Sequence, residues 1–185
     1  MEKVISIVGA GGKTTLVHKL AREYHRSGKG VLVTTTTHMY VEADTDLSCD
    51  FFALRDKIIK DGYCMVGQKI SEQSKPKMCG LPYDLLDKLI KGMPQALDYV
   101  IIEADGAKHH SLKYPAADEP VIYPGTTDVI IVLGTWEKGR SCKDVVFRYE
   151  LMQKELGTAE DAVVDDSVID TLRQVYVRKL RDSGF

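Results

Sequence analysis

The chain has 185 residues, of which 44% are hydrophobic and 28% charged, a composition that is ordinary for a soluble globular protein. Its formal net charge of -2 offers no broad basic surface, which argues against nucleic acid or an acidic membrane as a partner. The length suits a single domain over residues 1–185, and the sequence shows neither an apolar signal core nor a membrane-length apolar run, so we expect a cytoplasmic protein.

A glycine-rich turn between an apolar run and a helical pattern is the most informative stretch. Val4–Val8 predicts a buried strand, the sequence GAGGKTT follows, and helical spacing extends to about Arg26. Such a turn aims backbone N–H groups at a phosphate, and the helix N-terminus adds positive charge. Lys13 can then reach the terminal phosphates, and the Thr14 hydroxyl can ligate Mg²⁺. The predicted nucleotide-binding residues are Gly9, Ala10, Gly11, Gly12, Lys13, Thr14 and Thr15.

The spacing of this loop differs from the standard phosphate-binding loop. The standard spacing would place a glycine at position 7, which is Ile7 here, so the loop is shorter and is similar to that of the Mur-type amide ligases. The alternative is a simple glycine turn with an incidental lysine. The coincidence of strand, turn, Gly-Lys-Thr and helix argues against that alternative.

The next segment predicts the second half of a βαβ unit. Val31–Val33 is typical of a buried parallel strand, and a right-handed connection is expected. The sequence TTTTH follows at the carboxyl end of that strand, where open α/β sheets bind ligands. Thr34 and Thr35 can equally prolong the strand. Thr36 is a candidate contact to Mg²⁺ or its waters, and His38 a candidate substrate contact.

The pattern between residues 41 and 92 is less clear. Helical spacing predicts helices over residues 51–61 and from residue 81 to about residue 91, with a short strand at residues 64–66. The polar stretch 68–80 predicts an exposed hairpin or loop whose lysines are solvated.

The second informative stretch is an apolar strand that ends in acidic residues, which is how phosphate-loop proteins present a further Mg²⁺ contact. It spans residues 98–106 and carries Glu103 and Asp105. We expect one carboxylate to hold the metal or its water and the other to orient a nucleophile, so both are candidate metal ligands. Together with Lys13 they are the predicted catalytic residues. The alternative is that the two carboxylates merely mark an exposed strand end.

A proline-rich segment over residues 108–124 predicts a long loop across the active edge. Lys108 and Lys113 are candidates for binding an anionic substrate or the γ-phosphate. A metal site at His109 and His110 is disfavoured, because adjacent side chains diverge in an extended chain.

The last third predicts one more strand and two helices. Residues 128–134 read as a buried strand, and the following loop to Arg140 is expected at the same sheet edge. Helices are predicted over residues 144–156 and 167–182, the latter capped by Asp165 or Asp166. Tyr176 is interpreted as part of the core. These elements predict a three-layer α/β/α, P-loop NTPase-like fold with a mainly parallel sheet.

Four motifs, in this order, resemble the YqeC family, which is associated with selenium cofactor biosynthesis for selenium-dependent molybdenum hydroxylases. They are VGAGGKTT at 8–15, TTTTH at 34–38, IEADGAK at 102–108, and Leu-Lys-x-Pro at 112–115 with Glu-Pro-Val-Ile at 119–122. The resemblance implies phosphate binding at the loop and roles at the active edge for Thr36, His38, Glu103, Asp105, Lys108, Lys113 and Glu119. Two features depart from the family pattern: Ser111 stands where a proline is expected, and the chain is shorter than family members usually are.

The leading functional hypothesis is a Mg²⁺-dependent nucleotide-binding enzyme that hydrolyses NTP or transfers a phosphoryl group in selenium or molybdenum cofactor maturation. ATP is preferred over GTP because the chain contains no Asn-Lys-x-Asp motif. The short loop also suggests a ligase-like enzyme, and the second substrate is an unidentified small molecule or cofactor. An alternative is a nucleotide-gated accessory protein or switch that binds a molybdenum hydroxylase. A third hypothesis is a phosphate-loop fold that has lost catalysis.

Overall fold

The computed structural model of the protein describes residues 3–71 and 74–185. The strands in chain order are β1 (Lys3–Gly9), β2 (Val31–Thr35), β3 (His38–Tyr40), β4 (Thr45–Asp46), β5 (Tyr63–Val66), β6 (Gln68–Lys69), β7 (Lys77–Cys79), β8 (Tyr99–Glu103), β9 (Leu112–Lys113), β10 (Asp128–Val132) and β11 (Val146–Phe147). The helices are α1 (Lys13–Arg26), α2 (Phe51–Asp61), α3 (Tyr83–Gly92), α4 (Cys142–Val145), α5 (Tyr149–Leu156) and α6 (Asp166–Asp182).

The main sheet has six parallel strands in the order β10-β1-β8-β2-β5-β4 and is flanked by helices. This is the predicted α/β architecture, and it agrees with a three-layer α/β/α fold. A smaller antiparallel sheet has the order β3-β7-β6, and β9 pairs with β11 in a two-stranded parallel ladder.

The described residues group into two compact units. The first unit contains the chain up to Ile7, Thr14–Ala104 and Ile122–Ile130, and the second contains Val8–Lys13, Asp105–Val121 and Ile131–Phe185. The second unit has an apolar core of its own, with members such as Leu112, Tyr114, Cys142, Tyr149 and Leu172. Whether the chain acts as the single domain predicted from its length stays a prediction.

The position of β8 in the sheet places its acidic end between β1 and β2. β8 lies between β1 and β2, and Glu103 is level with Ile7 on one side and with Thr35 on the other. All residues of β2 and four of the five residues of β8 are buried, as expected for central parallel strands. The carboxyl ends of three neighbouring strands therefore meet at one point of the sheet edge.

Local signals set the ends of several helices as predicted. Helix α1 spans Lys13–Arg26. Helix α2 begins after Asp50, whose side chain accepts a hydrogen bond from the Ala53 N–H, and ends at Gly62 in the left-handed conformation. None of the described helices combines the length with the apolar character needed to cross a bilayer.

Two further predictions are confirmed in the first unit. Thr34 and Thr35 prolong strand β2, which is the alternative left open for them. The predicted hairpin over residues 68–80 is present as β6 and β7, although Glu72 and Gln73 within it lie outside the described residues.

The prediction of one continuous helix over residues 144–156 is wrong. Helix α4 ends at Val145, and Val146–Phe147 instead form strand β11 beside β9. Arg148 then takes a left-handed conformation with φ 63° before α5 begins. The residues have helical spacing, but the β-branched Val146 and the aromatic Phe147 favour a strand and pair with β9, which is distant in sequence.

Candidate functional site

The loop after β1 has a backbone that only glycine adopts without strain. Gly9, Gly11 and Gly12 have φ values of +94°, +79° and +91°. A β-carbon on Gly9 would overlap the carbonyl oxygen of Val132, and one on Gly11 would lie 2.6 Å from the Ser111 carbonyl oxygen. Glycine at positions 9 and 11 is therefore required by conformation and by close packing.

The other loop residues complete a compact turn. The buried Ala10 donates its N–H to the Val132 carbonyl over 2.8 Å. Gly12 is exposed, and a β-carbon placed on it would lie 3.9 Å from the ring of Trp136. Thr15 is exposed on the first turn of α1.

Lys13, the first residue of α1, folds back over the loop. Its side chain is buried, and its Nζ donates to the Gly9 carbonyl oxygen over 2.7 Å. The lysine charge therefore lies over the loop that was predicted to bind phosphates.

Thr14 and Glu103 form a direct hydrogen bond in the first unit. The Thr14 hydroxyl donates to Oε2 of Glu103 over 2.7 Å. Thr14 is exposed, whereas Glu103 is 7% exposed at the end of β8. A hydroxyl and a carboxylate are hard oxygen ligands, and Mg²⁺ in nucleotide sites takes its remaining ligands from phosphate and water. This pair therefore fits the Mg²⁺ contact predicted for both residues.

The threonine tract is tied to the backbone of Glu103. The Thr35 hydroxyl donates to the Glu103 carbonyl over 2.6 Å, and the Thr36 N–H donates to the same oxygen over 3.1 Å. The Thr36 residue is half-buried beside this strand end, whereas His38 is exposed in β3. Of the two predicted ligand contacts in the tract, Thr36 is joined to the Glu103 backbone, whereas His38 is paired with Cys79 in the smaller sheet.

Asp105 lies at the centre of a buried network in the second unit. It is fully buried, and its Oδ2 accepts the Gly9 N–H over 3.2 Å and the Tyr176 hydroxyl over 2.6 Å. Its Oδ1 accepts from Lys113 Nζ. Lys113 is also fully buried and forms a 2.7 Å ion pair with Glu119, to which Arg148 donates through both of its terminal nitrogens.

The ionisation of the network follows from these contacts. Burial opposes the charged form of Glu119, but hydrogen bonds from Arg148 and Lys113 outweigh it and lower the pKa of Glu119 to about 2. Burial, reinforced by the Asp105 carboxylate, raises the pKa of Tyr176 well above its usual value. Tyr176 therefore stays a hydrogen-bond donor, and Glu119 stays ionised at neutral pH.

Lys108 and the two histidines are more exposed than Asp105 and Lys113 at the centre of this network. Lys108 is exposed, with its Nζ 5.4 Å from the centre of the Phe147 ring. His109 is exposed, and His110 Nδ1 lies 3.2 Å from the Ala107 carbonyl oxygen. Within residues 3–71 and 74–185, no group of three or more His, Cys, Asp or Glu side chains is arranged to hold a metal ion.

Sequence reasoning missed two members of the network. Tyr176 was interpreted as core, and its ring is buried in α6, but its hydroxyl binds Asp105. Arg148 was placed inside a helix that does not exist there. No spacing in the sequence links either residue to Asp105, since Tyr176 is 71 positions away.

The comparisons with known proteins agree with the motifs. A family model described as "YqeC protein" matches residues 5–150. The chain belongs to the YqeC family. In Escherichia coli (strain K12), the "Uncharacterized protein YqeC" is 32% identical over 170 residues, which cover 87% of this chain and 63% of that relative. This chain thus spans less than two thirds of the length of that relative. No solved structure matches it.

The matched region contains the loop, the threonine tract and the acidic strand end of this YqeC family member. It also contains Lys113, Glu119 and Arg148. Tyr176 lies beyond the residues that the family model matches.

Proposed function

We propose that this protein binds ATP together with Mg²⁺ and hydrolyses it or transfers its terminal phosphoryl group. The hydrogen bond between Thr14 and Glu103, at the start of the helix that follows the glycine loop, is the observation that carries the proposal. It brings together a hydroxyl and a carboxylate, the two kinds of protein ligand that P-loop NTPases use for nucleotide-bound Mg²⁺.

Each part of the loop has a role in this proposal. The N–H groups of Gly9 and Ala10 are bonded to Asp105 and Val132, so the later N–H groups of the loop and the N-terminus of α1 bind the phosphates, and Lys13 adds a positive charge. Thr14 and Glu103 hold Mg²⁺, with Thr36 beside them as a further contact to the ion or its waters. The ion, when bound, offsets the charge on the phosphates.

The proposal for a second substrate starts from Lys108, a cation of the proline-rich segment. Lys108 is exposed and available to an anionic second substrate, whereas Lys113 and Glu119 are engaged in the buried network. We propose that the second substrate is a small molecule or cofactor in selenium or molybdenum cofactor maturation, as the family association suggests. His38, exposed in β3, remains a candidate substrate contact.

The decisive measurement is a binding and hydrolysis panel with ATP and GTP, each with and without Mg²⁺. Lys13→Ala should weaken ATP binding about tenfold to hundredfold, because it removes a charged hydrogen-bond donor from the phosphates. Lys19→Ala is the matched control, since Lys19 is exposed on the same helix. We expect ATP to bind more tightly than GTP.

Three outcomes would change the proposal. If the wild type binds neither nucleotide, nucleotide binding is excluded. If Lys13→Ala binds and turns over ATP normally, the loop is not the phosphate site. Hydrolysis only in the presence of a protein partner, such as a molybdenum hydroxylase, would favour a nucleotide-gated accessory protein over an enzyme that acts on a small molecule.

A further inference from the structure

Protein donors occupy most of the acceptor sites of the Asp105 carboxylate. Lys113 Nζ donates to Oδ1, and the Gly9 N–H and the Tyr176 hydroxyl donate to Oδ2 over 3.2 Å and 2.6 Å. An ionised carboxylate offers about four acceptor sites, so three are already in use. The side chain is also fully buried.

These contacts make Asp105 a poor ligand for a divalent cation. A metal ion on Oδ1 would lie beside the ammonium group of Lys113, and like charges repel strongly in a buried site. A metal ion on Oδ2 would have to displace the Gly9 N–H or the Tyr176 hydroxyl and leave that donor unpaired, which is costly in a buried site. The carboxylate of Glu103 accepts a hydrogen bond from the exposed Thr14 hydroxyl, a group that can itself ligate Mg²⁺.

We infer that Asp105 is a positioning residue that holds the N–H of Gly9, and with it the first turn of the phosphate-binding loop. Lys113, Glu119, Arg148 and Tyr176 in turn fix the Asp105 carboxylate. The two acidic residues then have different roles: Glu103 ligates the metal ion, and Asp105 positions the loop. This inference rests on the proposed function.

Gly9 shows why an anchor at this point matters. Its carbonyl accepts from Lys13 Nζ over 2.7 Å, and its N–H donates to Asp105. Both backbone polar groups of the first loop residue are thus held by charged side chains. Glycine can adopt many backbone conformations besides the observed φ of +94°, so without these two bonds Gly9 would lose more conformational entropy when the loop orders.

The surrounding charges hold the anchor in one orientation. Lys113 Nζ donates to the Gly106 carbonyl over 2.6 Å and pairs with both Asp105 and Glu119. Arg148, the residue that precedes α5, donates to the Glu119 carboxylate at the other end of the network. Two carboxylates and two cations balance, so the fully buried Asp105 and Lys113 have counter-ions, and the partly exposed Arg148 pairs with Glu119.

The test uses the single tryptophan of the chain, Trp136, whose ring lies beside Gly12. ATP is titrated into the full chain with Mg²⁺ and, separately, with EDTA, and the change in Trp136 fluorescence gives the dissociation constant for each condition. The variants are Asp105→Asn, Tyr176→Phe and Glu103→Gln. Circular dichroism checks that each variant is folded.

Tyr176→Phe is the mildest probe, because it removes one hydrogen bond to Asp105 and keeps the ring. The matched control is Tyr114→Phe, another fully buried tyrosine of the second unit whose hydroxyl donates to a carboxylate, Glu155, over 2.7 Å. A purely structural effect would be shared by both tyrosine variants, whereas a positioning effect is confined to Tyr176.

A positioning role predicts losses that do not depend on the metal ion. Tyr176→Phe and Asp105→Asn should weaken ATP binding by the same factor with Mg²⁺ and with EDTA, about tenfold for the loss of one hydrogen bond to a charged group. Glu103→Gln should lose the gain in ATP affinity that Mg²⁺ provides, because an amide cannot replace the carboxylate that holds the ion. Tyr114→Phe should keep the wild-type affinity.

The inference is overturned if Asp105→Asn behaves like Glu103→Gln and loses only the Mg²⁺-dependent gain, because Asp105 is then a metal ligand. It is also overturned if Tyr176→Phe binds ATP like the wild type. A wild type that shows no ATP binding in either condition contradicts the proposed function itself and removes the basis of this inference. The two failures are therefore distinguishable.

Discussion

At the scale of single residues, the glycines of the loop differ in how much room they leave for a side chain. Gly9 and Gly11 lie against backbone atoms of Val132, Ser111 and Gly134, whereas Gly12 has, among the described residues, only the edge of the Trp136 ring nearby. A side chain at position 9 or 11 would therefore meet backbone that cannot yield. At position 12 it would meet mainly open space and backbone strain.

Gly9→Ala should destabilise the protein by more than about 3 kcal/mol, because the strain of a left-handed residue, about 1–2 kcal/mol, is added to overlap with the Val132 carbonyl. Gly28→Ala is the control. Gly28 has φ +77° and no atom near the added carbon, so about 1 kcal/mol is expected. Urea unfolding of both variants measures the difference, and equal losses would show that the overlap is relieved by movement of the loop.

At the scale of secondary structure, caps and strand partners decide where elements end. Helix α6 begins where Asp165 accepts a hydrogen bond from the Val168 N–H over 2.8 Å, so Asp165 is the cap among the two predicted candidates, Asp165 and Asp166. The break between α4 and α5 has no comparable local signal. It depends on β11 pairing with β9 and on Arg148 reaching Glu119.

Asp165→Ala should lower the stability of the protein by about 1 kcal/mol, because the first turn of α6 loses its side-chain acceptor. Asp165→Asn should retain most of the wild-type stability, since an amide oxygen can accept the same bond. Thermal unfolding followed by circular dichroism compares the two. If both variants lose equal stability, the charge of Asp165 rather than its capping bond is responsible.

At the scale of the whole molecule, buried charge links stability to pH. The pKa of Glu119 is lowered from 4.5 to about 2, so its ionised form stabilises the folded state. This contribution is complete above the unfolded-state pKa of 4.5 and is lost as the pH falls through the folded-state pKa of about 2. The free energy of unfolding should therefore fall as the pH is lowered from 4.5 to about 2.

Glu119→Gln should cost about 3 kcal/mol at neutral pH, because Lys113 and Arg148 lose their shared counter-ion. Between pH 4.5 and about 2, its free energy of unfolding should fall less steeply than that of the wild type. Glu160→Gln, at an exposed site, should follow the wild-type curve. Urea denaturation at a series of pH values tests this, and parallel wild-type and Glu119→Gln curves would contradict it.

Much of the fold was predictable because its signals are local. The glycine loop, the start of α1, the central strands and the cap at Asp165 follow from residue type, periodicity and turn chemistry, and all appear where expected. The prediction of a continuous helix over residues 144–156 was wrong because the pairing of Val146–Phe147 with β9 outweighed the helical spacing.

The sequence by itself determined that a glycine loop, a lysine, a hydroxyl and an acidic strand end occur in the order of a phosphate-binding fold and of the YqeC family. Only the tertiary structure decided which acidic residue meets which partner: Glu103 meets Thr14, and Asp105 meets Gly9, Lys113 and Tyr176. The physical reason is that a motif is fixed by neighbours along the chain. A buried ion network is instead fixed by groups that only folding brings within hydrogen-bonding distance.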